Sequence, residues 1–188
     1  AATGASVANR DTEACMPSLT RQQLAAIFSG QYTTWDKIAS KTTAGVDLTT
    51  VTATGVTAMT DKNIYIERRA TTSGTQTGFE INLLAKGCVT GASSMLSHAD
   101  APSYVVENSS GGGVITNLGT HNTNNRGAIG VLTTESKAAA ADGWRFIKVA
   151  GAEPSVISVL RGTYDLFFES TIQYLNTSVN GLPALKDQ

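Results

Sequence analysis

The sequence predicts an α/β fold in which a mixed, mostly parallel sheet is flanked by helices. Segments with the alternating apolar pattern of strands are followed by segments with helical spacing, and glycine- or serine-rich turns separate them. Parallel strands need a crossover connection that is usually a helix, so this order favours a sheet covered on both faces. The chain has 188 residues, and a single domain over residues 1–188 is expected from this length.

The segment SLTRQQLAAIFSG has the start and stop signals of a helix. Thr20 is placed as the N-cap and Gln23 as its capping-box partner, while Leu19 is placed to pack against Leu24. Gly30 is expected to end the helix. The QYTTWDKI that follows predicts a turn into a second short helical piece.

The middle of the chain predicts further strands and helices in alternation. A Thr-rich tract over residues 41–59 is expected to be a loop with a strand fragment. After it, NIYIERR has the alternation of a strand, ATTSGT breaks it, and QTGFEINLLAKG has helical spacing. YVVE then predicts a short strand, SSGGGVITNLGTHN a glycine-led helix, and GAIGVLTTES a buried strand with a turn.

The last part of the chain predicts two strands and a final helix. The strands are RFIKVAG and SVISVL, with a loop containing Pro154 between them. An amphipathic helix is expected near YDLFFESTIQYLNTSV, ended by Asn180, Gly181 and Pro183.

Composition excludes several classes of protein. Hydrophobic residues make up 41% of the chain, charged residues 15%, and the net charge is −1, which is typical of globular proteins and gives no basic surface for nucleic acid. No apolar stretch approaches the roughly 20 residues of a membrane helix, so direct membrane insertion is not expected. The first residues lack the basic and apolar regions of a signal peptide, which suggests a processed or trimmed chain.

Cys15 and Cys88 are the two cysteines of the chain. They are far apart, with no CxxC spacing and no nearby pair of histidines, so a metal site is not expected. A disulfide between them is the favoured interpretation, and two buried free thiols are the alternative. Low charge and an even cysteine count favour an exported protein, in the periplasm or outside the cell.

The most informative segment for function is RATTSGT. It places Arg69 at the end of a predicted strand, four residues before the Ser73, Gly74 and Thr75 that begin a predicted helix. The first N–H groups of a helix attract anions, Gly74 allows close approach, and the hydroxyls of Ser73 and Thr75 can donate. Arg69 can present two parallel N–H groups to two oxygens. The pattern predicts an oxyanion site, although an ordinary helix cap with a surface arginine is the alternative.

Signals for catalysis are weak in this sequence. The two histidines, His98 and His121, stand in polar, loop-like contexts with no ligand spacing between them. The GxSxG, SxxK and HExxH motifs do not occur, and the acid pair Glu67 and Glu80 is unconvincing. We therefore expect a protein that is not an enzyme and needs no cofactor or metal, with no catalytic residues.

Four motifs occur in a fixed order: LTRQQLAAIFSGQYTTW, RRATTSGT, RGAIGVL and AGAEPS…RGTYDLF. Together, over residues 5–175, they resemble the periplasmic phosphate-binding proteins that serve ABC transporters. The resemblance concerns mainly the second lobe and return segment of that two-lobed periplasmic-binding-protein fold. It implies a solute-binding protein or fragment that takes an oxyanion, most readily phosphate, at Arg69, Ser73, Gly74 and Thr75, with a membrane ABC permease as a possible partner. Arg68 is one position out of phase with this motif.

The resemblance has departures that bear on function. Thr71 stands where the family usually has an acidic residue, and the glycine-rich loop that opens the family's first lobe has no clear counterpart. Residues 8–150 would then correspond to lobe two and residues 151–188 to a return segment toward the other lobe, whose first part is missing. The alternative function is a structural, adhesive or sensory module that descends from a binding-protein fold and takes no ligand.

Overall fold

The fold is described by a computed structural model over residues 16–38, 59–139 and 141–168. The Thr-rich tract up to residue 58, Cys15, and the final predicted helix beyond Phe168 lie outside these ranges. No helix in the described ranges is long and apolar enough to cross a membrane.

A parallel sheet of three strands forms the centre of the described structure. Strand β2 (Asp61–Arg69) lies between β3 (Val105–Asn108) and β4 (Arg126–Gly130), and both neighbours run parallel to it. Helix α2 (Gly74–Leu84) follows β2, and α3 (Gly111–Thr123) follows β3. The predicted α/β class, with parallel strands flanked by helices, is confirmed.

The two helices pack on opposite faces of β2, as side-chain contacts show. Arg68 reaches Glu80 of α2, whereas its neighbour Glu67 reaches Asn117 of α3. Successive side chains of a strand point to opposite faces, so α2 and α3 cover the sheet from both sides. This double cover explains why residues 64–68 of β2 are all buried.

Strand β1 (Ser18–Leu19) pairs in parallel with β5 (Lys148–Val149), and helix α1 (Arg21–Phe28) follows β1. The capping box of α1 is formed as predicted, because Thr20 accepts from the Gln23 N–H and the Gln23 side chain accepts from the Thr20 N–H. Gly30 follows the helix with a φ of +80°, a conformation that favours glycine. Strand β1 was not predicted, since two residues are too few to show a period.

The core gathers apolar side chains from the sheet, α1, α2 and the short 3-10 turn at Trp35–Lys37. Leu19 and Leu24, the pair expected to pack together, both belong to it. Its least exposed members are Ile27, Phe28, Ile38 and Val105.

Two predictions about the last described segment are wrong. SVISVL forms a short helix, α4 (Val156–Leu160), because Ser155 caps it by accepting the Ser158 N–H at 3.1 Å. A run of apolar residues does not by itself distinguish strand from helix, and here the cap decides. Residues 163–168 are not helical, although the sequence predicts the final helix to begin there.

The expected disulfide between Cys15 and Cys88 is not supported. Cys88 is exposed and its thiol is free. It lies after α2, in the stretch at residues 86–91 whose residues are all exposed. The expectation came from an even cysteine count, which does not bring two cysteines within the roughly 4.4–6.8 Å between Cα atoms that a disulfide needs.

Candidate functional site

Arg69 is the last residue of β2, at the carboxyl edge of the parallel sheet. Its side chain turns toward the start of α3, where Nη2 donates to the Ser109 carbonyl at 3.1 Å. A methyl group built on Gly111 would lie 3.8 Å from Nη1. The Nε of Arg69 is buried and has no hydrogen-bond partner within the described ranges. The guanidinium group thus lies at the amino end of α3. The sequence pattern did not connect Arg69 with this helix.

The SGT segment begins helix α2, as predicted. Ser73 is the N-cap and its Oγ accepts the Gln76 N–H at 3.4 Å, while Gly74 is the first helical residue. The space where Gly74 would carry a Cβ has no atom within 4 Å, and the first turn has no acidic residue. The Ser73 hydroxyl keeps its proton for donation, since the cap uses only the oxygen. Ser73 is therefore a helix cap, and this role leaves its hydroxyl able to donate to an anion.

Helix α3 begins at the same edge of the sheet as α2. Strands β2 and β3 are parallel, with Arg69 opposite Asn108, so the helices that follow them start side by side. Ser110 caps α3 by accepting the Gly113 N–H at 3.1 Å, and its first turn has no acidic residue. The sequence signal was present in SSGGG, but a single sequence does not reveal that β2 and β3 are neighbours.

Arg68 has a different environment from Arg69. It is only 2% exposed, and its guanidinium donates to Glu80 at 3.1 Å and to the Leu96 carbonyl at 2.7 Å. All of these partners lie on the α2 face of the sheet. Arg68 is therefore part of the buried framework, and Arg69 is the arginine that faces the edge.

Glu80 is a buried carboxylate with several partners. Burial alone acts to raise its pKa. Hydrogen bonds from Lys86 and Gln76, with the positive charges of Lys86 and Arg68, outweigh this, so the pKa of Glu80 lies below its ordinary value. The carboxylate is thus held in its charged form beneath the start of α2.

Gln76 is a framework residue that sequence reasoning missed. It is 1% exposed, and its Oε1 accepts the backbone N–H of Arg69 at 3.1 Å. Its Nε2 donates to Glu80 at 2.8 Å. The side chain therefore joins the end of β2, the start of α2 and the buried ion pair.

Glu67 connects β2 to helix α3, as Gln76 connects it to α2. Its carboxylate is 1% exposed and accepts from Asn108 at 2.8 Å, from Asn117 at 2.9 Å and from His121 at 2.9 Å. Glu67 and Glu80 therefore lie on opposite faces of β2, and they do not form an acid pair.

The two histidines differ in environment: His98 lies in an exposed turn, as expected, whereas His121 lies in a helix and not in a loop. His121 belongs to the last turn of α3, and its side chain is 12% exposed against Glu67. His98 is exposed at the residue level, but its Nδ1 lies 2.7 Å from the Val105 carbonyl. In the described part of the chain, no three His, Cys, Asp or Glu residues gather in a way that could hold a metal ion.

A groove of about 990 Å³ lies next to the candidate site. Of the four predicted site residues it is lined only by Thr75, and most of its wall is apolar. Residues 126–135, 143–149 and 154–168 contribute most of that wall. The groove and the edge that carries Arg69 are therefore distinct features.

Comparisons with known proteins give structural likenesses only. No family model and no curated protein matches the chain. An ABC-type phosphate transport receptor from Vibrio cholerae is 22% identical with a TM-score of 0.49, over 80% of this chain and 48% of that one. A phosphate binding protein from Stenotrophomonas maltophilia is 19% identical with a TM-score of 0.46, over 78% of this chain and 40% of that one. The chain thus spans less than half the length of these structural neighbours.

Proposed function

We propose that this chain is an oxyanion-binding module, with phosphate as its anion, and that it is part of a solute-binding protein for an ABC transporter. The observation that carries the proposal is the position of Arg69, whose guanidinium lies at the edge where α2 and α3 both begin. Ser73, Gly74 and Thr75 supply the start of α2. The sequence motifs add the resemblance to phosphate-binding proteins.

The electrostatics at this edge favour a negative charge. Each helix start presents N–H groups that have no partner within the helix, together with the positive end of the helix dipole. An anion gains about 0.3–2 kcal/mol from such an end, and a charge-assisted bond from Arg69 is roughly twice as strong as a neutral one. Both helices lack acidic residues in the first turn, so nothing in either turn opposes an anion.

The Ser109 carbonyl bears on the choice of anion. It lies 3.1 Å from Nη2 of Arg69 and is an acceptor among groups that otherwise donate. A hydrogen phosphate ion carries a proton that needs such an acceptor, whereas sulfate does not. This arrangement favours a protonated oxyanion.

In the receptor that we propose, the other lobe of the two-lobed fold closes over the anion and the closed form is presented to a membrane permease. The resemblance in the motifs supports this part of the proposal, including a place in the periplasm or outside the cell. The described edge by itself supplies only one side of an enclosed site. We therefore expect this chain alone to bind phosphate weakly, with a Kd on the order of millimolar.

The test is a calorimetric or NMR titration of the 188-residue chain with phosphate and with sulfate. Arg69→Ala removes the guanidinium at the carboxyl edge. Arg126→Ala is the matched control, because it removes the same charge from the first residue of β4, at the opposite edge of the sheet. We expect phosphate binding that Arg69→Ala abolishes and Arg126→Ala keeps.

Other outcomes lead to different conclusions. Equal loss in the two variants would mean that only net charge attracts the anion. No phosphate response in the wild-type chain, at concentrations well above millimolar, would contradict the proposal and favour a module that takes no ligand.

A further inference from the structure

We propose that Gln76 is the positioning residue of this edge, and that its carboxamide fixes the end of β2 relative to the start of α2. This inference rests on the proposed function and extends it to a residue that is buried beneath the anion-binding groups. Gln76 does not face the edge itself, since it is 1% exposed.

The first step of the argument concerns the backbone of Arg69. The pairing of β2 with β4 ends at Glu67 and Gly130, and the Val131 N–H then donates to the Glu67 carbonyl. Arg69 therefore lies beyond the last pair on that side. Its N–H donates to Gln76 Oε1 at 3.1 Å. The Gln76 side chain thus supplies the hydrogen-bond acceptor that a neighbouring strand would supply where β2 ends.

The second step concerns the helix to which Gln76 belongs. Its own N–H donates to the Ser73 Oγ that caps α2. One residue is therefore bonded through its side chain to Arg69 and through its backbone to Ser73. This bridge acts together with the turn in which the Ser73 N–H donates to the Ala70 carbonyl at 2.9 Å, and the two set the separation between the end of β2 and the SGT turn.

The third step concerns what holds the carboxamide in place. Nε2 donates to Glu80 at 2.8 Å and lies 2.9 Å from the sulfur of Met95. Glu80 accepts from Arg68, the residue that precedes Arg69. Both ends of the carboxamide are therefore occupied, and flipping it would place its NH₂ against the Arg69 N–H.

The decisive variant is Gln76→Met, which keeps a similar length and volume and removes both polar ends of the side chain. Leu83→Ala is the control, because Leu83 is a buried core residue of the same helix and its truncation leaves a cavity but removes no hydrogen-bond partner of the carboxamide. Stability of both variants is measured by urea unfolding. Phosphate affinity and amide hydrogen exchange are then measured under conditions where both are folded.

We expect Gln76→Met to weaken phosphate binding about tenfold, the effect of losing one well-placed hydrogen bond that orients the site. Leu83→Ala should bind phosphate as the wild type does, even if it unfolds at lower urea. Equal weakening in the two variants would overturn the proposal and give Gln76 a structural role only.

Hydrogen exchange separates a failure of this inference from a failure of the proposed function. In the unliganded protein, the Arg69 amide of Gln76→Met should exchange much faster than in the wild type. The Ile66 amide, which donates to the Tyr104 carbonyl at 2.7 Å, should keep its protection. If the wild type does not bind phosphate, the proposed function is lost, and the exchange result still decides whether Gln76 holds the end of β2. An unchanged Arg69 amide would contradict the inference whatever the binding result.

Discussion

Arg68 and Arg69 are consecutive in the sequence, yet their guanidinium groups lie on opposite faces of one strand and have opposite roles. Arg68 is enclosed against α2, where it donates to Glu80 at 3.1 Å. Arg69 reaches the Ser109 carbonyl at the start of α3. The alternation of a strand thus divides one RR dipeptide into a framework residue and a residue of the candidate site.

We predict that Arg68→Met destabilises the protein far more than Arg69→Met. Removal of the Arg68 guanidinium leaves Glu80 buried with less positive charge around it, and breaking a buried pair in this way costs about 3–5 kcal/mol. Arg69 is half-buried at an edge, so its replacement should cost about 1 kcal/mol or less. Urea unfolding of the two variants measures the difference. Similar midpoints for both would mean that Lys86 compensates for the loss of Arg68.

We predict that the protein loses stability in acid, because the Glu80 carboxylate becomes protonated there. The pKa of Glu80 in the folded protein lies below the ordinary value, because hydrogen bonds and nearby cations outweigh the effect of burial. A carboxyl group with a lowered pKa stabilises the fold fully above the ordinary pKa of glutamate, about 4.3. That contribution is lost as the pH falls from there through the lower pKa of the folded protein.

Unfolding experiments from pH 7 to pH 3 measure this dependence. Glu80→Gln should be less stable than the wild type at neutral pH, and its stability should fall less steeply below the ordinary glutamate pKa. Asp100 has a lowered pKa at the surface, where it accepts from Ser97, and Asp100→Asn serves as the control for surface carboxylates. If Glu80→Gln and the wild type lose stability in parallel, Glu80 is not the group that titrates.

We predict that Glu67→Gln weakens the packing of α3 on the sheet. The Glu67 carboxylate accepts from one residue of β3 and two residues of α3, so Glu67→Gln places an NH₂ group among donors. We expect a loss of about 1–3 kcal/mol, the usual cost of an unsatisfied buried polar group. In Glu67→Gln, the amides of α3 should exchange faster than they do in the wild type, whereas those of α2 should not. Glu135→Gln, at an exposed position after β4, should leave both helices unchanged.

Much of the fold was predictable because its signals are local. The capping box of Thr20 and Gln23 was found from spacing alone, since both partners lie within one helical turn. The strand at Arg69 and the helix start at Ser73 were found in the same way. The prediction for SVISVL failed because its four apolar residues fit a strand and a helix equally well, and the deciding Ser155 is a single residue.

The framework of the site was not predictable, because it depends on which strands become neighbours. The link between Arg69 and Ser109 joins positions 40 residues apart, and that between Glu67 and His121 joins positions 54 apart. His121 was expected in a polar, loop-like context. Its burial follows from the carboxylate of Glu67, whose position in space the sequence does not reveal.

We predict that Gly74→Ala weakens phosphate binding without lowering the stability of the fold. A methyl group at this position meets no atom within 4 Å, and its φ is not in the left-handed region that favours glycine. Gly74→Ala should therefore leave stability unchanged or raise it by about 0.5–1 kcal/mol, since alanine is the better helix former. The same methyl group occupies the space through which an anion would approach the first N–H groups of α2. Phosphate affinity should fall while the urea midpoint does not.

Gly119→Ala is the matched control for this prediction. Gly119 lies within α3, where a Cβ would also meet no atom within 4 Å, and it lies more than a turn from the start of the helix. It should show the same gain in stability without any change in phosphate affinity. If Gly74→Ala binds phosphate as tightly as Gly119→Ala does, the anion does not approach the start of α2, and the site would have to be sought around Arg69 and α3 alone.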